Sequence, residues 1–129
     1  NCKVTKITNK VNKDLLLYQP QYVIDAIDDI KSKIELIKLC LENKITFISS
    51  MGAAKKTDIS KIAIMKLSKT TYDPIAKILR HEFKNNDFFV VSSTESTKSI
   101  ELGSYMPVVS TFGLYMCDYI IKQIMENNA

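Results

Sequence analysis

The sequence predicts an α/β fold, a sheet flanked by helices, on three observations. Short apolar runs at Tyr22–Ile27, Ile45–Ser49, Ile62–Lys66 and Phe88–Ser92 have the length and composition of strands. Stretches with helical periodicity alternate with them, as strand–helix–strand units with a parallel sheet require. The chain has 129 residues and is 46% hydrophobic, enough for one domain with a buried core.

Taken in order, Val4 to Ile7 reads as a short strand and Asp14 to Gln19 as a helical turn closed by Pro20. The Tyr22–Ile27 strand is apolar enough to be buried on both faces, as parallel-sheet strands are. A helix follows from about Ile30 to Asn43. Ser32 and Glu35 have capping-box spacing, Ile30, Ile34, Ile37 and Leu41 make one apolar stripe, and Asn43 is a stop. With the Ile45–Ser49 strand this makes a βαβ unit, expected to be right-handed. After the Ile62–Lys66 strand and a loop at Ser68–Tyr72, Asp73 and Pro74 supply an N-cap and a first-turn proline. Ile75, Ile78, Leu79 and Phe83 are the expected core face of that helix. The Phe88–Ser92 strand leads to a polar, mobile loop from Ser93 to Ser104. A long helix then starts at Pro107, with Val108, Val109, Phe112, Met116, Ile120 and Ile124 expected to be deeply buried.

Composition narrows the class. No apolar run is long enough to cross a bilayer, and no signal-peptide pattern opens the chain. It begins with Asn1 rather than Met, so the expectation is part of a longer product. Three scattered cysteines (Cys2, Cys40, Cys117) argue against a disulfide framework and for a reducing intracellular compartment, the cytoplasm or an organelle. Cys40 and Cys117 sit among apolar helix positions and read as core. With no Cys-x-x-Cys pair and one His, no zinc is expected.

The segment Tyr22-Val23-Ile24-Asp25-Ala26-Ile27-Asp28-Asp29 carries the chemistry. It places three carboxylates around the end of a strand and the start of a helix. Ligands of open α/β sheets bind outside the carboxyl ends of strands, and carboxylates there suit Mg2+ shared with nucleotide phosphates. Asp28 has a second reading as a helix cap. Asp25 lies among apolar strand residues, where an unpaired charge is costly, so it needs a partner. The chain has only Gly52, Gly103 and Gly113, none in a Gly-x-Gly-x-x-Gly spacing. A phosphate-cradling loop therefore lies outside these residues.

Charge is uneven. Net charge is +4, and Lys55 to Lys84 holds eight basic residues against three acidic ones, or +5, leaving −1 for the rest. Such an excess is a footprint for nucleic acid, or a solvated lysine surface in a chain that has one arginine.

Four stretches together resemble the tRNA threonylcarbamoyladenosine dehydratases, which belong to the adenylating superfamily of ubiquitin-activating enzymes and molybdopterin and thiamine adenylyltransferases. They are Tyr22–Asp29, Ile48-Ser49-Ser50-Met51-Gly52-Ala53, Ser68-Lys69-Thr70-Thr71-Tyr72-Asp73-Pro74 with Arg80 beyond it, and Gly103-Ser104 through Pro107 to Gly113-Leu114. The resemblance implies one domain over residues 1–129, the C-terminal portion of a Rossmann-like mixed sheet with flanking helices. It implies ATP-dependent activation of the threonylcarbamoyl carboxylate on an anticodon-loop adenosine, then ring closure with net dehydration. It places the magnesium- and ATP-associated aspartate on Asp28, its neighbour on Asp29 and a basic nucleotide-site residue on Lys33. ATP and Mg2+ are the implied cofactors, tRNA the partner, and a homodimer the assembly. Lys55, Lys56, Lys61, Lys69 and Arg80 are the expected tRNA contacts.

The sequence departs from the family's pattern at Ala54 and Lys55, where Gly-Gly is usual, and at Ile59, where Pro is usual. Activation of a ubiquitin-like modifier or a sulfur carrier is the alternative function, and an NAD-dependent oxidoreductase a weaker third. With no glycine loop, residues 1–129 alone are expected to be inactive.

Overall fold

The structure is a computed structural model that describes residues 3–8, 10–96 and 103–127. Four strands form one mixed sheet: β1 (Tyr22–Asp25), β2 (Thr46–Ser50), β3 (Ile62–Lys66) and β4 (Phe89–Ser93). Their order is β1-β2-β4-β3, with β2 parallel to β1 and β4, and β3 antiparallel at the far edge. The carboxyl ends of β1, β2 and β4 thus share one end of the sheet, together with the amino end of β3. Three α-helices flank it: α1 (Ile30–Glu42), α2 (Pro74–Glu82) and α3 (Met106–Asn127).

Two apolar layers hold the sheet. On one face, Leu36, Ile37 and Cys40 of α1 and Ala76 and Leu79 of α2 pack with Phe47 and Val90. On the other, Val108, Phe112, Met116 and Ile120 of α3 meet Ile48, Ile62 and Val91. These α3 residues recur every four positions, one helical face. Along β2 and β4, neighbouring residues point to opposite layers, as strand geometry dictates.

Several expectations change in three dimensions. Val4 to Ile7 is not a strand: Val4 is 88% exposed, and a lone extended segment has no ladder to satisfy its backbone. Ile24 is 45% exposed, because β1 stands at the edge of the four described strands rather than covered on both faces. The cap of α1 is Asp29, whose Oδ2 accepts from the Ser32 amide at 3.0 Å and hydroxyl at 2.6 Å, in place of the Ser32–Glu35 box. Ala76 takes the buried position on α2, and Ile78 turns outward. Val109 is exposed on α3, and so is Cys117, which read as core. The Ser93–Ser104 loop lies partly outside the described residues.

Other signals hold. Asn43 ends α1 with its side-chain amide donating to the Leu39 carbonyl at 2.8 Å. Asp73 caps α2, with Pro74 in its first turn. Among the described residues, no helix is long and apolar enough to cross a membrane.

Candidate functional site

At the carboxyl end of β1 the chain turns through three residues, Ala26 to Asp28, before Asp29 caps α1. Asp25, the last residue of β1, is fully buried. Its Oδ1 accepts from the Ile27 amide at 3.0 Å, and its Oδ2 from the Ser49 hydroxyl at 2.6 Å and from Lys33 Nζ at 3.0 Å. Lys33 reaches back from the first turn of α1, 1% exposed, and also donates to the Ser50 carbonyl at 2.9 Å. The partner that a strand aspartate needs is therefore a lysine eight residues on.

This assigns the three carboxylates different work. Asp25 is bound inside the protein. Asp29 is an exposed cap whose carboxyl lies below its ordinary range, chiefly because the Ser32 hydroxyl and amide favour the charged form. Asp28 is exposed and makes no side-chain hydrogen bond or ion pair among the described residues. It is the one of the three whose charge is not used inside the protein among the described residues, and the capping alternative falls to its neighbour.

The neighbouring loop, after β2, is fastened from three sides. The Gly52 amide donates to Asp73 Oδ2 at 2.8 Å, while Asp73 Oδ1 caps α2 through the Ile75 and Ala76 amides. A Cβ at Gly52 would stand 3.2 Å from Asp73 Oδ1, so glycine allows this close approach. Lys56 is 3% exposed and donates to the carbonyls of Tyr72 and Glu95. The Glu95 carboxylate accepts from the Thr57 and Asp58 amides.

The basic segment, contiguous in sequence, is dispersed in space. Lys56 is corrected from a surface contact to a buried staple, because its ammonium is spent on main-chain carbonyls. Lys55 is half-buried in the left-handed region (φ 63°), its amide donating to the Gly103 carbonyl. Lys61 is exposed beside the carboxyl end of β4, where its carbonyl accepts from Thr94. Lys69 is exposed in the turn leaving the opposite end of β3. Arg80 is half-buried, with one guanidinium nitrogen donating to the carbonyl and hydroxyl oxygens of Thr70.

Sequence reasoning missed Ser49, Glu95 and Ser92. Ser49 and Glu95 find their partners 24 and 37 to 38 residues away, so no local pattern marks them. Ser92 Oγ is buried on central β4 without a hydrogen-bond partner among the described residues. Cys40 is no nucleophile: burial, aided by the Asp25 charge, pushes its thiol up to about 12. No three His, Cys, Asp or Glu gather into a metal cage among the described residues.

The ThiF family profile matches residues 1–129. The chain belongs to the ThiF family. It is 47% identical over 77 residues to the tRNA threonylcarbamoyladenosine dehydratase of Bacillus subtilis, covering 60% of this chain and 30% of that protein. Its identity to the Haemophilus influenzae protein of the same name is 49%, covering 84% of this chain and 52% of the relative. The crystal structure of the Escherichia coli tRNA N6-threonylcarbamoyladenosine dehydratase in complex with ATP superposes with a TM-score of 0.85 at 30% identity. That match covers 98% of this chain and 58% of the other; the AMP complex gives 0.84. The chain thus spans about a third to about half of these two curated relatives. The mixed sheet with flanking helices is the architecture of this ThiF family neighbour.

Proposed function

We propose that the protein carrying this chain is an ATP-dependent tRNA-modifying enzyme. It adenylates the threonylcarbamoyl carboxylate on an anticodon-loop adenosine and cyclises that group with net loss of water. The observation that carries this reading is the free Asp28 carboxylate at the carboxyl end of a parallel strand, in a chain that matches an ATP-bound dehydratase along 98% of its length. A substrate carboxylate oxygen attacks the α-phosphate of ATP and pyrophosphate leaves. Ring closure then expels AMP, which carries that oxygen away.

The residues present fit Mg2+ as a shared ion rather than a caged one. One free carboxylate, Asp28, would hold it with phosphate and water oxygens, the usual division of ligands for this ion. Bound there, it would neutralise phosphate charge. Asp29 keeps a negative charge beside it while fixing the start of α1. Lys33 belongs to the nucleotide site through Asp25. The phosphate-cradling loop and the rest of the ATP pocket belong to residues outside this chain, of which these 129 form the C-terminal part. Lys61, Lys69, Lys55 and the unpaired side of Arg80 would meet tRNA phosphates. The complete protein is a homodimer.

The deciding experiment offers the complete protein ATP with either threonylcarbamoylated tRNA or a protein tail ending in Gly-Gly. AMP release with the tRNA, and a nucleoside lighter by one water, is the expected result. Pyrophosphate release and an adenylated Gly-Gly tail, with no reaction on the tRNA, would replace this reading with modifier or sulfur-carrier activation.

A further inference from the structure

We propose that Lys33 is a positioning residue, whose buried ammonium clamps the carboxyl ends of β1 and β2 together and thereby sets where Asp28 stands. The proposal rests on the nucleotide reading of Asp28.

The geometry is a closed ring. From Asp25 the chain runs through Ala26, Ile27 and Asp28 to the Asp29 cap, enters α1, and returns to Asp25 through the 3.0 Å ion pair of Lys33. Asp28 is the one carboxylate of this ring not engaged by it. On its N-terminal side the turn is pinned by the Ile27 amide on Asp25 Oδ1, on its C-terminal side by Ser32 on Asp29. The same ammonium bonds the Ser50 carbonyl and Ser49 bonds Asp25, so the loop after β2 is held to the same point. Lys33 lies 1% exposed and has spent two of its three donors inside the protein. A free ligand has little of it left to touch.

A buried ion pair is weak evidence for stability, since apolar replacement of both partners is often neutral. A turn held by such a pair is, in contrast, a way to fix a ligand-facing group with little freedom to lose on binding. Removing Lys33 as a pair with Asp25 therefore separates positioning from folding. Lys33→Met alone leaves a buried carboxylate without a counter-charge and is a poor probe if it fails to fold. Asp25→Asn with Lys33→Met leaves no net charge behind; the Asn oxygen still accepts from the Ile27 amide, and its NH2 group donates to the Ser49 hydroxyl in place of the acceptor that Asp25 Oδ2 offered. Lys33→Arg keeps the cation and is the conservative rescue.

The test measures MgATP and AMP affinity by calorimetry in the complete protein, alongside melting temperature. With Asp28→Asn as reference, the double variant should stay folded, its melting temperature lowered only by the loss of a donor to the Ser50 carbonyl, but bind MgATP about tenfold or more weakly, the size of effect that groups orienting a ligand-binding residue have. AMP affinity should be unchanged, because it carries no β- and γ-phosphates for a shared Mg2+. Lys33→Arg, which keeps the cation, should bind MgATP more tightly than the double variant and close to wild type. Equal loss for MgATP and AMP, or wild-type MgATP affinity in the double variant while Asp28→Asn is impaired, overturns the positioning role alone. If Asp28→Asn itself binds MgATP normally, the nucleotide reading falls and the positioning role with it.

Discussion

Three aspartates within five residues divide into an internal strut, an exposed carboxylate without a partner among the described residues and a helix cap, because each meets different neighbours. Asp25 meets Lys33 and Ser49, Asp29 meets Ser32, and Asp28 meets none of them. Asp28→Asn should therefore leave the melting temperature in place and lower adenylation about a hundredfold, some 2.7 kcal/mol of transition-state stabilisation. Unchanged adenylation would remove Asp28 from the site. Asp29 predicts a pH dependence instead. Its folded carboxyl is depressed by Ser32, so its stabilisation of α1 is present above the unfolded pKa of about 3.9 and is lost as pH falls through the lower folded value. Circular dichroism between about pH 5 and 2 should show wild type losing helix where Asp29→Asn, which caps without titrating, has no matching transition. Identical acid profiles would exclude this contribution.

At the scale of elements, the loop after β2 is the clearest case of charge used for construction. Lys56 joins it to Tyr72 before α2 and to Glu95 after β4, and the Glu95 carboxylate in turn accepts from the Thr57 and Asp58 amides. Lys56→Met should strand these carbonyls and cost about 1–3 kcal/mol in denaturant unfolding. Lys61→Gln, at an exposed site, should leave stability within about 0.5 kcal/mol of wild type. It should weaken tRNA binding and flatten its salt dependence, since each phosphate contact releases condensed counterion. A stable Lys56→Met variant would deny the staple. An unaltered salt slope for Lys61→Gln would make that lysine a solvated surface residue.

For the whole molecule, the mixed sheet sets what the chain can do. It gathers the carboxyl ends of three strands at one end but has no glycine-rich turn within these 129 residues. Residues 1–129 alone should show no ATP turnover, and robust turnover would refute the divided site. The outer side of α3 exposes Leu114 at 71%, Ile121 at 49% and Met125 at 66%, apolar surface that favours burial against another chain or element. The complete protein should sediment as a dimer at micromolar concentration; monomer alone would count against it.

The sequence by itself determined the α/β alternation, seven of the regular elements to within a few residues, the Asp73 cap and the cluster of three aspartates. These are written in local periodicity and short-range capping, which act over a few residues. Tertiary structure decided the rest, because its causes lie across the fold. Only packing shows that β1 is the edge of the described sheet, that Val4–Ile7 joins no strand among the described residues, and that α3 buries Val108 but not Val109. Burial turned Lys56 from an apparent phosphate ligand into a staple. The Lys33–Asp25 pair depends on α1 folding back over β1 and β2, so the strand aspartate that needs a partner finds it in a lysine that the family resemblance assigns to the nucleotide site. A buried charge must be neutralised by whatever the fold brings near, and that neighbour is chosen in space rather than along the chain.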